Sequence, residues 1–161
     1  MCFIVAFGTM DIIVNMYELS YLDSGDAVNQ GYPVLAYIQR CIRERSLLTK
    51  FDYSIGLGED SLLVMACHGL LNPLHWIAAF FFQNSPTYLL YKYVIIIKLF
   101  LGGLVFLIYS NYKKKNAILA VAASIIYAFS MWGIVSAVAF LGFYDLLIAL
   151  PLLILGIDKL Y

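Results

Sequence analysis

Three features of this sequence could do chemistry. The first is Asp26 and Gln30, a carboxylate and an amide four residues apart. On a helix the two share a face, so the amide could orient the carboxylate or bind a ligand hydroxyl. Ser24-Gly25-Asp26 ahead of a helix is also the pattern of an N-cap, and on the residues alone the cap is the simpler reading. Asp23 offers a second carboxylate three residues earlier. The second feature is Lys98, set deep in an apolar run six residues beyond Lys92. A lysine inside a span is costly and marks either function or a buried partner. Lys98 could be the counter-ion of an anionic ligand, or a structural pair with Asp11 or Asp145. The third, Arg40, Arg43 and Arg45, could hold phosphate in bidentate fashion or simply touch lipid headgroups.

Other polar residues carry less. His68 and His75 are seven apart and share a face only if Pro73 leaves the helix intact. A metal site needs more ligands in ordered spacing, so polar interface residues are the better reading. Cys2, Cys41 and Cys67 have neither metal-ligand nor redox spacing. No cofactor is expected, and a divalent metal finds no support in the residues. Asp145 stands at the start of an apolar run, where helix capping accounts for it.

The elements that must position these residues are membrane elements. Of 161 residues 63% are apolar and 12% charged, against roughly 45–50% and about 25% in a soluble domain. Mean hydropathy is +0.88. These figures exclude a disordered chain, a nucleic-acid binder and an ordinary soluble enzyme, and point to an integral membrane protein. Net charge is zero, yet eight of the ten acids fall in residues 1–61. An acidic first third precedes about a hundred nearly uncharged residues.

Along the chain, residues 1–17 read as a short or truncated first span interrupted by Asp11 and Asn15. Residues 18–87 form a loop segment. Within it Pro33 to Leu48 has the spacing of an amphipathic helix, with Val34, Ile38, Cys41 and Ile42 on one face and Arg40, Arg43 and Glu44 off it. Ser54 to Gly58 reads as a glycine turn. Asn72-Pro73 breaks the uncharged run 62–82 into two interfacial or re-entrant pieces. Residues 88–161 then supply three spans: 88–109, a stretch beginning at 117 that runs back outward, and a last run from 145 to about 160. Gly133 and Gly142 are possible turning points. The lysines of the loop 110–116 mark the cytoplasmic side. By parity residues 18–87 lie outside, although Arg40, Arg43, Arg45 and Lys50 there run against the positive-inside tendency. A true span at 62–82 would reverse that placement.

Several pieces together resemble a known family. They are Asp26-Ala27-Val28-Asn29-Gln30-Gly31-Tyr32-Pro33, Ser54-Ile55-Gly56-Leu57-Gly58, Leu70-Leu71-Asn72-Pro73-Leu74, Lys98-Leu99 with Gly103-Leu104 and Tyr109, Tyr127-Ala128-Phe129-Ser130, and Asp145 to Pro151 ending at Asp158-Lys159. From about Tyr21 to Tyr161 the chain resembles the amino-terminal part of the YfhO family of bacterial multi-pass membrane proteins, assigned to the GT-C class of membrane glycosyltransferases. The resemblance implies an all-α fold of about four transmembrane helices, with membrane-lying juxtamembrane helices in a large first external loop. Family members are several times longer, so the chain is expected to be a fragment of a longer enzyme.

The resemblance also implies a reaction. A sugar passes from a polyprenyl-phosphate donor to a cell-envelope glycan or teichoic-acid-type acceptor at the bacterial plasma membrane. A base must take the acceptor's proton, and a cation must stabilise the departing phosphate. Asp26 is the expected base, with Asp23 second and Gln30 orienting it. Lys98, Arg40 and Arg43 are the expected donor-phosphate partners. The expected partners are a lipid-linked sugar, membrane lipids and the acceptor glycan, with no nucleic acid. The alternative is a non-enzymatic membrane scaffold or lipid-binding subunit.

Overall fold

The structure is a computed structural model that describes residues 8–9, 11–12, 16, 25–46, 51–53 and 58–160. Most of the first span, Asp23 and Ser54 to Leu57 lie outside the described residues. The chain divides into two compact units, Leu22–Val94, and Met1–Tyr21 with Ile95–Tyr161.

The first unit is built of short helices. A π-helical turn, Ala27–Gly31, runs directly into α1, Tyr32–Glu44. Pro33 stands in the first turn of α1; because the π turn continues into that helix, its missing N–H removes a helical donor there. Val34, Leu35, Tyr37, Ile38, Gln39 and Cys41 are buried. That face is wider than the expected stripe and packs on protein. Where it is shielded from water, complete burial of Leu35 and Ile38 contributes about 1.5–3 kcal/mol each. The helix ends four residues before the expected Leu48. Arg45 adopts a left-handed conformation, φ 50°, and the N–H of Ser46 bonds back to the Cys41 carbonyl at 3.0 Å. This is a helix-terminating turn.

A two-residue antiparallel ladder follows, β1 (Phe51–Asp52) with β2 (Glu59–Asp60), pairing Phe51 with Asp60 and Asp52 with Glu59. Asp60 then caps α2, Ser61–Met65, accepting from the N–H groups of Leu62 and Leu63 at 3.0 and 3.1 Å. A second π turn, Ala66–Leu70, is kinked at Gly69, where φ is 98°. Asn72 caps α3, Pro73–Phe81, by accepting from the Leu74 N–H at 2.9 Å. The expected break is therefore built from a left-handed glycine, an asparagine cap and a proline in the first helical turn. Nine residues of helix span about 14 Å, less than half of a hydrocarbon core of about 30 Å. Residues 61–82 therefore contain no continuous crossing helix.

The longest helix, α4 (Thr87–Tyr112), has 26 residues and a length of about 39 Å. The second unit continues with α5 (Ala117–Ala128), α6 (Met131–Ala139) and α7 (Leu141–Leu160). Among the described residues, α4 and α7 are the two helices long and apolar enough to cross a membrane. The expected single span after residue 117 is instead broken at Phe129-Ser130. Ser130 Oγ accepts from the Gly133 N–H at 3.1 Å and starts α6 as an N-cap. Gly133 and Gly142 lie within helices, so the turns fall at Ser130 and Phe140.

Packing among these helices relies on small residues, as expected where lipid is as apolar as the side chains. Gly102 admits the Tyr144 ring so closely that a Cβ there would lie 2.7 Å from its hydroxyl. Gly103 sits against Ala128 and Ser124. Pro151 stands inside α7 and cannot donate to the carbonyl of Leu147. The Tyr127 hydroxyl donates to that carbonyl at 2.9 Å.

Candidate functional site

Asp26 is exposed and sits at the head of the first π turn. It is not a side-chain cap. Its Oδ1 accepts from Gln30 Nε2 at 3.0 Å, the contact that the four-residue spacing allows. The turn is anchored on its inner side. Ala27 and Gly31 are buried, and a Cβ on Gly31 would lie 3.3 Å from the Tyr91 ring. The two π turns pack against each other. Such turns concentrate at functional sites, and hydrophobic periodicity gives no sign of them.

The arginines follow on α1. Arg40 Nη2 pairs with Asp52 Oδ2 at 2.8 Å and stands 5.1 Å above the centre of the Tyr37 ring. Its side chain remains 42% exposed. Arg43 is exposed one turn later. Asp26, Gln30, Arg40 and Arg43 all belong to the Leu22–Val94 unit.

Gln39 was not legible as a site residue. It is fully buried. Its Nε2 donates to the carbonyls of Phe82 and Ser85 at 2.6 and 2.9 Å, and its Oε1 accepts from Thr87 Oγ1 at 2.6 Å. One amide thus ties α1 to the turn that leads into α4. Phe82 stacks on Tyr93 alongside, centroids 4.7 Å apart.

The family model described as Bacterial membrane protein YfhO matches residues 2–161. The chain belongs to the YfhO family. The match begins well before Tyr21, so the apolar start belongs to the family sequence as well. No curated protein matches the chain, and no solved structure does.

In this YfhO-family chain Lys98 is completely buried in the second unit. Its Nζ lies 2.8 Å from Asp145 Oδ1 and donates to the Leu141 carbonyl at 2.7 Å. Of the two partners open to it in sequence, the described contact is with Asp145. Asp145 is not the expected cap, because α7 starts at Leu141, one turn earlier, and places the carboxylate inside the helix.

The histidines are separated by the left-handed Gly69 and the Asn72 cap, so they do not share a continuous helical face. His75 Nδ1 donates to the Gly69 carbonyl at 2.9 Å, and Trp76 Nε1 to the Leu70 carbonyl at 2.6 Å. Both side chains close the bend. Among the described residues no three His, Cys, Asp or Glu side chains gather as metal ligands.

Proposed function

We propose that this chain is the first module of a GT-C-type membrane glycosyltransferase. It transfers a sugar from a polyprenyl-phosphate donor to a cell-envelope glycan or teichoic-acid-type acceptor at the bacterial plasma membrane. The observation that carries the reading is the exposed, uncapping Asp26 carboxylate held by Gln30 on a π turn, in a chain of the YfhO family.

The chemistry follows from that carboxylate. The acceptor oxygen attacks the anomeric carbon while Asp26 removes its proton. The bond from that carbon to the donor phosphate breaks with inversion, and the electron pair leaves on the polyprenyl phosphate. Asp23 is the reserve carboxylate. Arg40 and Arg43 are the accessible guanidinium groups that could receive the phosphate charge. Lys98 could do so only by leaving Asp145 and the Leu141 carbonyl, so the phosphate arm of the proposal rests first on the arginines. In this reading residues 18–87 face outward, residues 1–17 form a first crossing, and the broken pair α5–α6 provides the return crossing between α4 and α7.

The test is Asp26→Asn in the protein as its cell produces it. Transfer to the glycan acceptor is lost while membrane insertion is retained. Transfer at the wild-type rate would overturn the assignment. The alternative is the non-enzymatic scaffold reading. It requires that Asp26→Asn leave the chain's cellular role unchanged.

A further inference from the structure

A groove of about 500 Å³ opens where α4 turns into α5. Phe106, Leu119, Ala120 and Ala123 make its apolar wall, and Lys113 and Lys115 stand at its mouth. The lysines are fixed by the turn itself. Lys114 is left-handed, φ 52°, and the N–H groups of Lys113 and Lys115 bond to the carbonyls of Tyr109 and Ser110 at 3.1 and 3.2 Å. Lys113 Nζ is drawn toward Asp158 at 2.8 Å, while Lys115 is exposed. Asn116 caps α5 beside them, adding the partial positive charge of a helix start.

From this geometry we infer that the groove is a binding site for one anionic phospholipid of the leaflet that the basic turn faces. The phosphate sits at Lys115 and the start of α5, and an acyl chain runs along Phe106 and Ala123. Two observations select a lipid over a soluble anion. Apart from Tyr109 and Ser110, the lining behind the lysines is apolar and suits an apolar occupant. The helix is also longer than a hydrocarbon core, about 39 Å against about 30 Å, which brings its end to headgroup depth. Basic pockets between membrane helices hold such headgroups. A second groove of about 450 Å³, lined by Trp132, Leu147, Leu150 and Leu153, has no charged residue in its lining, and serves as the internal contrast.

The experiment is native mass spectrometry of the full chain in detergent. The probes are phosphatidylglycerol, phosphatidylcholine and glycerol phosphate without chains. Wild type retains phosphatidylglycerol at concentrations where the other two are not retained. Lys115→Gln, at an exposed position, weakens retention about fivefold, as expected for one surface cation. Ala123→Phe fills the groove and abolishes retention, whereas Leu150→Phe in the uncharged groove has no effect. Equal retention of phosphatidylcholine would overturn the inference. So would binding of glycerol phosphate as tight as the lipid's, an unchanged affinity in both groove variants, or an equal loss in Leu150→Phe.

Discussion

The hydroxyl of Tyr127 donates to the carbonyl of Leu147 across 2.9 Å, and that carbonyl is the one Pro151 leaves without its helical donor. Proline is tolerated in membrane helices when a neighbour satisfies the freed group. Tyr127→Phe keeps the ring that stacks on Phe106 at 4.5 Å and deletes only the donor. It costs about 1 kcal/mol, the scale of interhelical hydrogen bonds in membranes. In a Pro151→Ala background the restored N–H supplies the bond, and the same substitution becomes nearly neutral. Equal costs in both backgrounds, read by unfolding in a denaturing-detergent titration, would break the link.

The Lys98–Asp145 pair predicts an asymmetry. Lys98 has no exposed side-chain surface, whereas Asp145 is 38% exposed. Asp145→Asn strands a buried ammonium and costs about 3 kcal/mol or more. Lys98→Met leaves a carboxylate that is 38% exposed and costs less where that surface reaches water or headgroups. The double variant recovers part of the larger loss, as when both members of a buried pair become neutral. Additive losses in the double-mutant cycle would show that the pair carries no coupling.

How much of this was legible in the sequence depends on where each residue's partner lies. Asp26 and Gln30 are four residues apart, so their contact follows from helical geometry. The break at Asn72-Pro73 was legible for the same reason, since cap and proline act locally. Lys98 was conspicuous for its charge, but choosing Asp145 over Asp11 required the packing of α4 against α7. Gln39 gave no signal. A glutamine on an amphipathic helix reads as solvated, and its partners Phe82, Ser85 and Thr87 are 43 to 48 residues away. The break at Ser130 was missed because the run carries no charge and no proline; the weaker hydropathy from Tyr127 to Gly133 was the signal that marked it.

Gln39 should therefore be unusually intolerant of change. Gln39→Leu leaves two carbonyls and the Thr87 hydroxyl without that partner. With buried unpaired groups costing about 1–3 kcal/mol each, the loss should be about 3 kcal/mol. Gln39→Glu turns a donor into a carboxylate facing two carbonyls and should be worse. The fluorescence of Trp76, in the same unit, provides the readout. A loss below 1 kcal/mol in both variants would mean that the amide is not what joins α1 to this turn.

The outward placement of residues 18–87 needs a suitable probe. Native Cys41 is a poor one because it is only 4% exposed. Tyr53 is 83% exposed, so Tyr53→Cys in a background lacking Cys2, Cys41 and Cys67 should label with an impermeant thiol reagent in intact cells. Lys114→Cys, in the basic turn, should label only after lysis. The opposite pattern would invert the topology and remove Asp26 from the outer surface.

The last prediction concerns pH and the Lys113–Asp158 contact. The hydrogen bond that it donates to the Asp158 carboxylate holds the Lys113 ammonium above its ordinary value of 10.5. A raised lysine value means that the proton is bound more tightly in the folded state. The pair's contribution is therefore fully present below the ordinary lysine range and is lost as pH rises through the raised value. Nothing in the physiological range should disturb it. Because Lys113 is at the surface, salt should weaken the pair. Titrating the Lys113 side chain by NMR should show its midpoint falling toward 10.5 in Asp158→Asn. The contact from the Tyr112 hydroxyl to the Asp158 carbonyl, 3.2 Å, uses only backbone on that side and should survive the substitution. An unchanged midpoint would show that Asp158 does not hold the ammonium.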